Sequence, residues 1–175
     1  MIRVGVVAAL AAAVISLMAG CDPAGRPTLM PAFGARVTDG HLQIWTGSQC
    51  RAVTELSLEF DPYQDNRAQW VLSTSNGAGV DVEYFTLGEP VPGLQVTKAL
   101  PAGFDWRGAE SVQISVDGAQ DGWGTTTHLA EVIKGSAEHP EDTYWFQDVG
   151  WLNPGDVAAK DGKTFLATCT PQPAG

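Results

Sequence analysis

The stretch Thr54-Glu-Leu-Ser-Leu-Glu-Phe60 decides the fold class, because its apolar residues alternate strictly with polar ones. A period of two places both leucines and Phe60 on one face of a β-strand and the polar side chains on the other. The stretch His41-Leu-Gln-Ile-Trp-Thr46 alternates in the same way, and so do residues 111–116. Half-buried strands of this kind are typical of antiparallel sheets.

Similar short runs recur along the chain and are separated by Gly, Pro, Asn and Asp, as in Asn153-Pro-Gly155. Helical periodicity is nearly absent. We therefore predict an all-β fold, an antiparallel two-layer β-sandwich of immunoglobulin-like type with one disulfide, and a closed barrel is the alternative. Further strands are predicted at residues 69–74, 80–87, 94–100, 143–149 and 163–169.

The segment 125–134, Thr-Thr-Thr-His-Leu-Ala-Glu-Val-Ile-Lys, fits either a strand or a helix. Its three consecutive threonines favour a strand, which is our prediction. In a helix, His128 and Glu131 would lie on one side at a spacing of three, as in metal and acid/base sites, but a metal would need two further ligands. The other histidines, His41 and His139, are scattered, so we predict no metal site and no catalytic residue.

The first twenty residues have the pattern of a signal peptide: Met-Ile-Arg is followed by an uncharged apolar run to Met18. The run is shorter than a membrane span needs. It ends in Leu17-Met18-Ala19-Gly20-Cys21, which resembles the lipobox of bacterial lipoproteins. That resemblance implies cleavage before Cys21, a diacylglyceryl group on its thiol, and attachment of the protein to the extracytoplasmic face of a cell membrane.

The residues after Cys21 contain prolines at every fourth position and little apolar periodicity, which is typical of a tether. Leu29, Met30 and Phe33 could instead pack back on the domain. The predicted organisation is a signal peptide at 1–20, a lipidated cysteine with a Pro-rich tether at 21–35, the β-sandwich at 36–170 and a tail at 171–175.

The chain has three cysteines, Cys21, Cys50 and Cys169. If Cys21 is acylated, the other two form the only internal pair, and an exported protein would oxidise them to a disulfide. A catalytic thiol is the alternative, but neither cysteine has a histidine nearby in the sequence.

The composition restricts the partners. The formal net charge is −10, so the surface repels phosphate and disfavours both nucleic acid and anionic lipid headgroups. No Gly-x-Ser-x-Gly elbow and no dedicated calcium loop occurs in the sequence. We predict no cofactor.

Aromatic residues give the one hint of a ligand. Four of the six tryptophans lie near Gly-rich or acidic loops, and we select them as a candidate binding surface. Flat rings beside Asp, Asn and Gln suit sugar recognition, although the same rings also fill cores. The four are Trp106, Trp123, Trp145 and Trp151.

These features predict a membrane-anchored, extracytoplasmic lipoprotein that acts as a binding or interaction module of the cell envelope. Its partner would be an envelope glycan or a protein. One alternative is an envelope hydrolase or metal-dependent enzyme that uses His128, Glu131 and loop carboxylates. The other is a structural accessory subunit of an envelope complex, which an uncovered apolar patch would favour.

Overall fold

A computed structural model of the chain describes residues 29–119 and 122–173. The predicted signal peptide, Cys21 and the first part of the predicted tether lie outside these ranges, as do residues 120–121 and 174–175.

The described residues form a mostly β, sandwich-like domain, as predicted, in which two antiparallel sheets supply the same hydrophobic core. The strands are β1 Pro31–Ala32, β2 Gly34–Thr38, β3 His41–Val53, β4 Glu55–Phe60, β5 Ala68–Ser73, β6 Val80–Thr86, β7 Gln95–Lys98, β8 Ser111–Asp117, β9 Gly122–Trp123, β10 Thr127–His128, β11 Tyr144–Phe146, β12 Gly150–Leu152 and β13 Leu166–Ala167.

One sheet has the order β10-β8-β4-β5-β7, with the short strand β9 also paired to β8. The other has the order β12-β11-β2-β3-β6. A third, two-stranded element joins β1 to β13 in parallel, so the beginning and the end of the described chain lie side by side.

The strictly alternating apolar residues of β4 lie in the core, as predicted. Leu56, Leu58 and Phe60 are fully buried, and β4 pairs with β8 along its whole length. The facing sheet contributes Leu42 and Ile44 from β3 to the same core. Burying an aliphatic or aromatic side chain contributes about 1.5–3 kcal/mol, so this shared core holds the two sheets together.

The second sheet is also covered on its other face. Trp45 and Phe146 belong to a separate apolar cluster that Val157 and Phe165 complete. Because neighbours on a strand point to opposite faces, Trp145 packs against the main core while Phe146 packs in this second cluster.

Two short helices correct the prediction that helices are nearly absent. α1 spans Leu129–Gly135 and α2 spans Pro154–Lys160. The predicted strand over 125–134 was wrong beyond His128, because Leu129 and Val132 at helical spacing are fully buried. The Asn-Pro-Gly turn signal was the start of α2, where Asn153 and Asp156 form a capping box.

The domain includes residues before the predicted boundary at residue 36. Pro31–Ala32 pairs with β13, Gly34–Thr38 pairs with β3, and Phe33 is fully buried. Residues 31–35 are therefore part of the domain rather than of a tether, as in the alternative that Phe33 packs back. The burial of Phe33 and the strand hydrogen bonds outweigh the conformational bias of the prolines.

Of the strand predicted at 163–169, only β13 forms. The disulfide prediction is confirmed. Cys50 in β3 is bonded to Cys169, across a sequence separation of 119 residues. Both cysteines are buried.

A buried arginine holds the segment after α1. Arg36 in β2 is 5% exposed, and its guanidinium donates hydrogen bonds to four backbone carbonyls. One acceptor is the Ser136 carbonyl at the end of α1, at 2.9 Å, where the negative end of the helix dipole favours a cation. The charge is thus stabilised by backbone dipoles.

Candidate functional site

A groove of about 670 Å³ has exposed aromatic side chains in its lining, and we call it the Trp123 groove. Its wall combines β9, the chain just after β9, the first described residues and the segment 166–172. Three large side chains in its lining are strongly exposed: Met30 at 64%, Tyr63 at 85% and Trp123 at 63%.

Close backbone contacts fix the position of Trp123. Its neighbour Gly122 packs so closely on the disulfide that a Cβ there would lie 2.6 Å from the sulfur of Cys169. On the other side, a Cβ on Gly124 would overlap the ring of Phe33. Glycines on both sides of Trp123 therefore let β9 approach the core. β9 pairs with β8, and the indole of Trp123 faces solvent.

The segment around Cys169 forms another part of the lining. Thr168 is 4% exposed and its Oγ1 has no hydrogen-bond partner among the described residues. Thr170 donates through its hydroxyl to Asp161 at 2.7 Å and contacts Ser48 at 3.2 Å. Because the disulfide lies between the two threonines, it anchors the side of the groove that they line.

The first described residues lie along the groove as a rim. The Met30 carbonyl accepts from the Leu166 amide at 3.0 Å, and the Pro31 carbonyl accepts from the Thr125 amide at 3.1 Å. The Gln172 side chain adds a hydrogen bond to the Leu29 carbonyl at 2.8 Å. These backbone bonds hold the rim while the Met30 side chain stays exposed.

Tyr63 reaches the groove from the loop after β4. A buried carboxylate holds that loop: Asp61 accepts from the amides of Glu110 at 2.9 Å and Ser111 at 3.0 Å. The Gln64 amide returns to the Asp61 carbonyl at 2.9 Å, which closes the turn that carries Tyr63.

The lining is amphipathic and uncharged. Among the described residues it contains no Asp, Glu, His, Lys or Arg. Hydroxyl and amide groups come from four threonines and two glutamines, namely Thr125, Thr126, Thr168, Thr170, Gln113 and Gln172. Flat apolar rings beside neutral hydrogen-bonding groups suit a neutral ligand that has an apolar face and several hydroxyls.

The structure does not bring the four selected tryptophans together. Trp106 is buried in the main core at 9% exposure, with the Arg107 guanidinium over its ring. Trp145 and Trp151 face each other across β11 and β12, with ring centroids 6.0 Å apart. Of the four, Trp123 alone lines the groove.

Trp151 instead stacks with a histidine. The His139 ring lies parallel to the Trp151 indole at 4.5 Å, and its Nδ1 lies 2.9 Å from the Gly135 carbonyl. These contacts tie the end of α1 to β12, so they serve packing.

The residues proposed for a metal or hydrolytic site are exposed. His128 ends β10 and is the N-cap of α1 with an extended backbone, whereas Glu131 lies in the first turn of the helix, so the two residues do not share one helix. In residues 29–119 and 122–173, no three His, Cys, Asp or Glu side chains are grouped so that they could hold a metal ion.

A second, smaller cleft of about 360 Å³ lies beside β3 and β6, in the sheet of order β12-β11-β2-β3-β6. Tyr84 lines it and stacks on Trp45, with centroids 5.5 Å apart. Burial raises the pKa of Tyr84 to about 12, with smaller contributions from Glu83 and Tyr144. Burial also raises the pKa of Tyr144, against the lowering effect of Arg36.

Sequence reasoning found Trp123 but missed its partners in the groove. Tyr63 lies in the acidic stretch Asp61-Pro-Tyr-Gln-Asp65, which no pattern connects with Trp123, and Met30 falls within the predicted tether, with packing on the domain as the alternative. One signal was present: Gly122-Trp-Gly124 places an aromatic residue between two glycines, a pattern that indicates close backbone approach. It could not show what the backbone approaches.

The fold and groove define a class: a disulfide-bonded, mostly β domain with an uncharged aromatic groove. No family model, no curated protein and no solved structure matches the chain. Within the described ranges, none of the helices is long and apolar enough to cross a membrane.

Proposed function

We propose that this chain is a bacterial lipoprotein, acylated on Cys21, whose domain binds a neutral saccharide of the cell envelope in the Trp123 groove. One observation carries the binding proposal. The groove exposes an indole and a phenol next to the neutral side chains of threonines and glutamines. Sugar rings present apolar C–H faces and hydroxyls, so both kinds of lining group find a partner.

The disulfide supports export to the extracytoplasmic face. Disulfides persist in oxidising compartments and are rare in the cytosol. The Cys50–Cys169 bond leaves Cys21 as the one remaining cysteine of the chain, at the acceptor position of the lipobox-like stretch.

We also propose the immunoglobulin-like subclass for the two sheets. Strands β2, β3 and β6 are neighbours in one sheet, which corresponds to strands A, B and E of that fold. Strands β5, β4 and β8 are neighbours in the other sheet, which corresponds to C′, C and F, and the short strands β9 and β10 both pair with β8 at the place of strand G.

An accessory subunit of an envelope complex is the second candidate function. The exposed side chains of Met30, Tyr63 and Trp123 around one groove favour it, because exposed apolar patches mark protein contacts as well as ligand sites. In that case a partner protein would cover the groove and free saccharides would not bind.

Isothermal titration calorimetry with neutral cell-wall oligosaccharides tests the saccharide proposal. Trp123→Ala should weaken binding about tenfold or more, since a central aromatic residue carries much of the binding energy. Val96→Ala is the matched control, because Val96 is a large apolar residue, 54% exposed, outside the groove. Heats equal to dilution for the wild type would reject saccharide binding and leave the protein-partner candidate.

A further inference from the structure

The Trp123 groove lies within short reach of the proposed lipid anchor. Its rim begins at Leu29, eight residues after Cys21. A chain extends at most about 3.6 Å per residue, so the rim stays within about 30 Å of an acylated Cys21. Because residues 31–35 belong to the fold, they cannot lengthen this connection.

The rim also has the chemistry of a surface that meets a membrane interface. Trp and Tyr prefer the interface because their rings are apolar and their tips are polar, and Trp123 and Tyr63 are both strongly exposed here. Met30 adds a flexible apolar side chain that is 64% exposed.

Charge restricts which membrane surface the groove can meet. The chain has a formal net charge of −10, so an anionic lipid surface repels it. The described lining of the groove is uncharged. A membrane surface of neutral headgroups does not repel the protein, so the groove can approach such a surface. A neutral headgroup with several hydroxyls also matches the threonine and glutamine side chains of the lining.

We infer that the ligand of the Trp123 groove is the uncharged sugar headgroup of a glycolipid in the same membrane that holds Cys21. This inference rests on the proposed function and specifies the source of its saccharide. The anchor confines protein and glycolipid to one surface, which raises their effective concentration.

The test uses the mature acylated protein in three kinds of vesicle: phosphatidylcholine alone, phosphatidylcholine with diglucosyl diacylglycerol, and phosphatidylcholine with phosphatidylglycerol. Tryptophan fluorescence is quenched by a lipid that carries a spin label at headgroup depth. Trp123→Phe is measured in parallel, and the difference from the wild type isolates the signal of Trp123. In a separate arm, calorimetry measures binding of the free diglucose headgroup.

We expect the Trp123 signal to be quenched most in glycolipid vesicles and least in anionic ones, and Trp123→Phe to lose the difference. Equal quenching with and without glycolipid would overturn the sugar headgroup as ligand. No Trp123 quenching in any vesicle would overturn membrane apposition. In both cases, binding of free diglucose would leave the proposed function standing, whereas its absence would count against saccharide binding itself.

Discussion

Removing the disulfide should cause the largest loss of stability among the changes considered. The Cys50–Cys169 bond spans 119 residues. In the chain-entropy model a closed loop of this size stabilises the fold by about 5 kcal/mol, through restriction of the unfolded chain. Whole domains are stable by only about 5–15 kcal/mol, so this one bond matters for folding. In a domain of this size, each kcal/mol of lost stability lowers Tm by about 2–4 °C, so removal of the disulfide should lower Tm by about 10–20 °C.

The change also has a local consequence at the groove. The disulfide lies under Gly122 and between two threonines of the lining. Without it, the chain around Cys169 can move away from β9, and the surroundings of Trp123 should change.

Thermal unfolding followed by circular dichroism measures the effect on Cys50→Ala/Cys169→Ala, with tryptophan fluorescence as the local probe. Chemically reduced wild type should melt close to the double variant. Cys21→Ala is the matched control, because it removes a cysteine outside the described fold and should leave Tm unchanged. If the double variant melts within about 3 °C of the wild type, the entropic reasoning is refuted.

Single contacts give three further predictions. Asp61→Ala should lower the free energy of unfolding by about 2–4 kcal/mol in urea titrations, because two backbone N–H groups lose their acceptor, and an unchanged midpoint would contradict this. Gly122→Ala should cost about 1–3 kcal/mol and shift the emission of Trp123, because the new Cβ meets the Cys169 sulfur; wild-type emission would argue against the contact. The free energy of unfolding should fall as the pH rises from 10 to about 12, because a pKa raised to about 12 means that the folded state favours the neutral form of Tyr84. In base titrations Tyr84→Phe should lose less stability than the wild type. An identical pH profile would exclude Tyr84 as the cause.

Local sequence patterns were sufficient for the strands that form the main core. β4 and β8 alternate with a period of two and are buried on the predicted face. The threonine-rich pattern predicted a strand where α1 forms, because β-propensity reflects packing on a sheet. In this structure the burial of Leu129 and Val132 on one face of a helix outweighs that propensity. The prediction failed for α2 because Asn-Pro-Gly marks a turn and a helix start equally well.

The candidate site was predictable only in part. The aromatic hypothesis included Trp123, yet its other members have structural roles: Trp106 fills the core and Trp151 stacks on His139. Exposure of a tryptophan depends on what packs over it, and that is decided by residues distant in sequence. Met30 and Tyr63 join the groove for the same reason.

By itself, the sequence determined the β class, the acidic surface, the pairing of Cys50 with Cys169 given a modified Cys21, and the expectation of export. These depend on composition, on the number of cysteines and on patterns that are local in the sequence. Only the tertiary structure decided that residues 31–35 belong to the domain and that β1 lies beside β13. The groove exists because this pairing brings Met30 next to Trp123 and Thr168, and contacts between residues so far apart follow from packing of the whole domain.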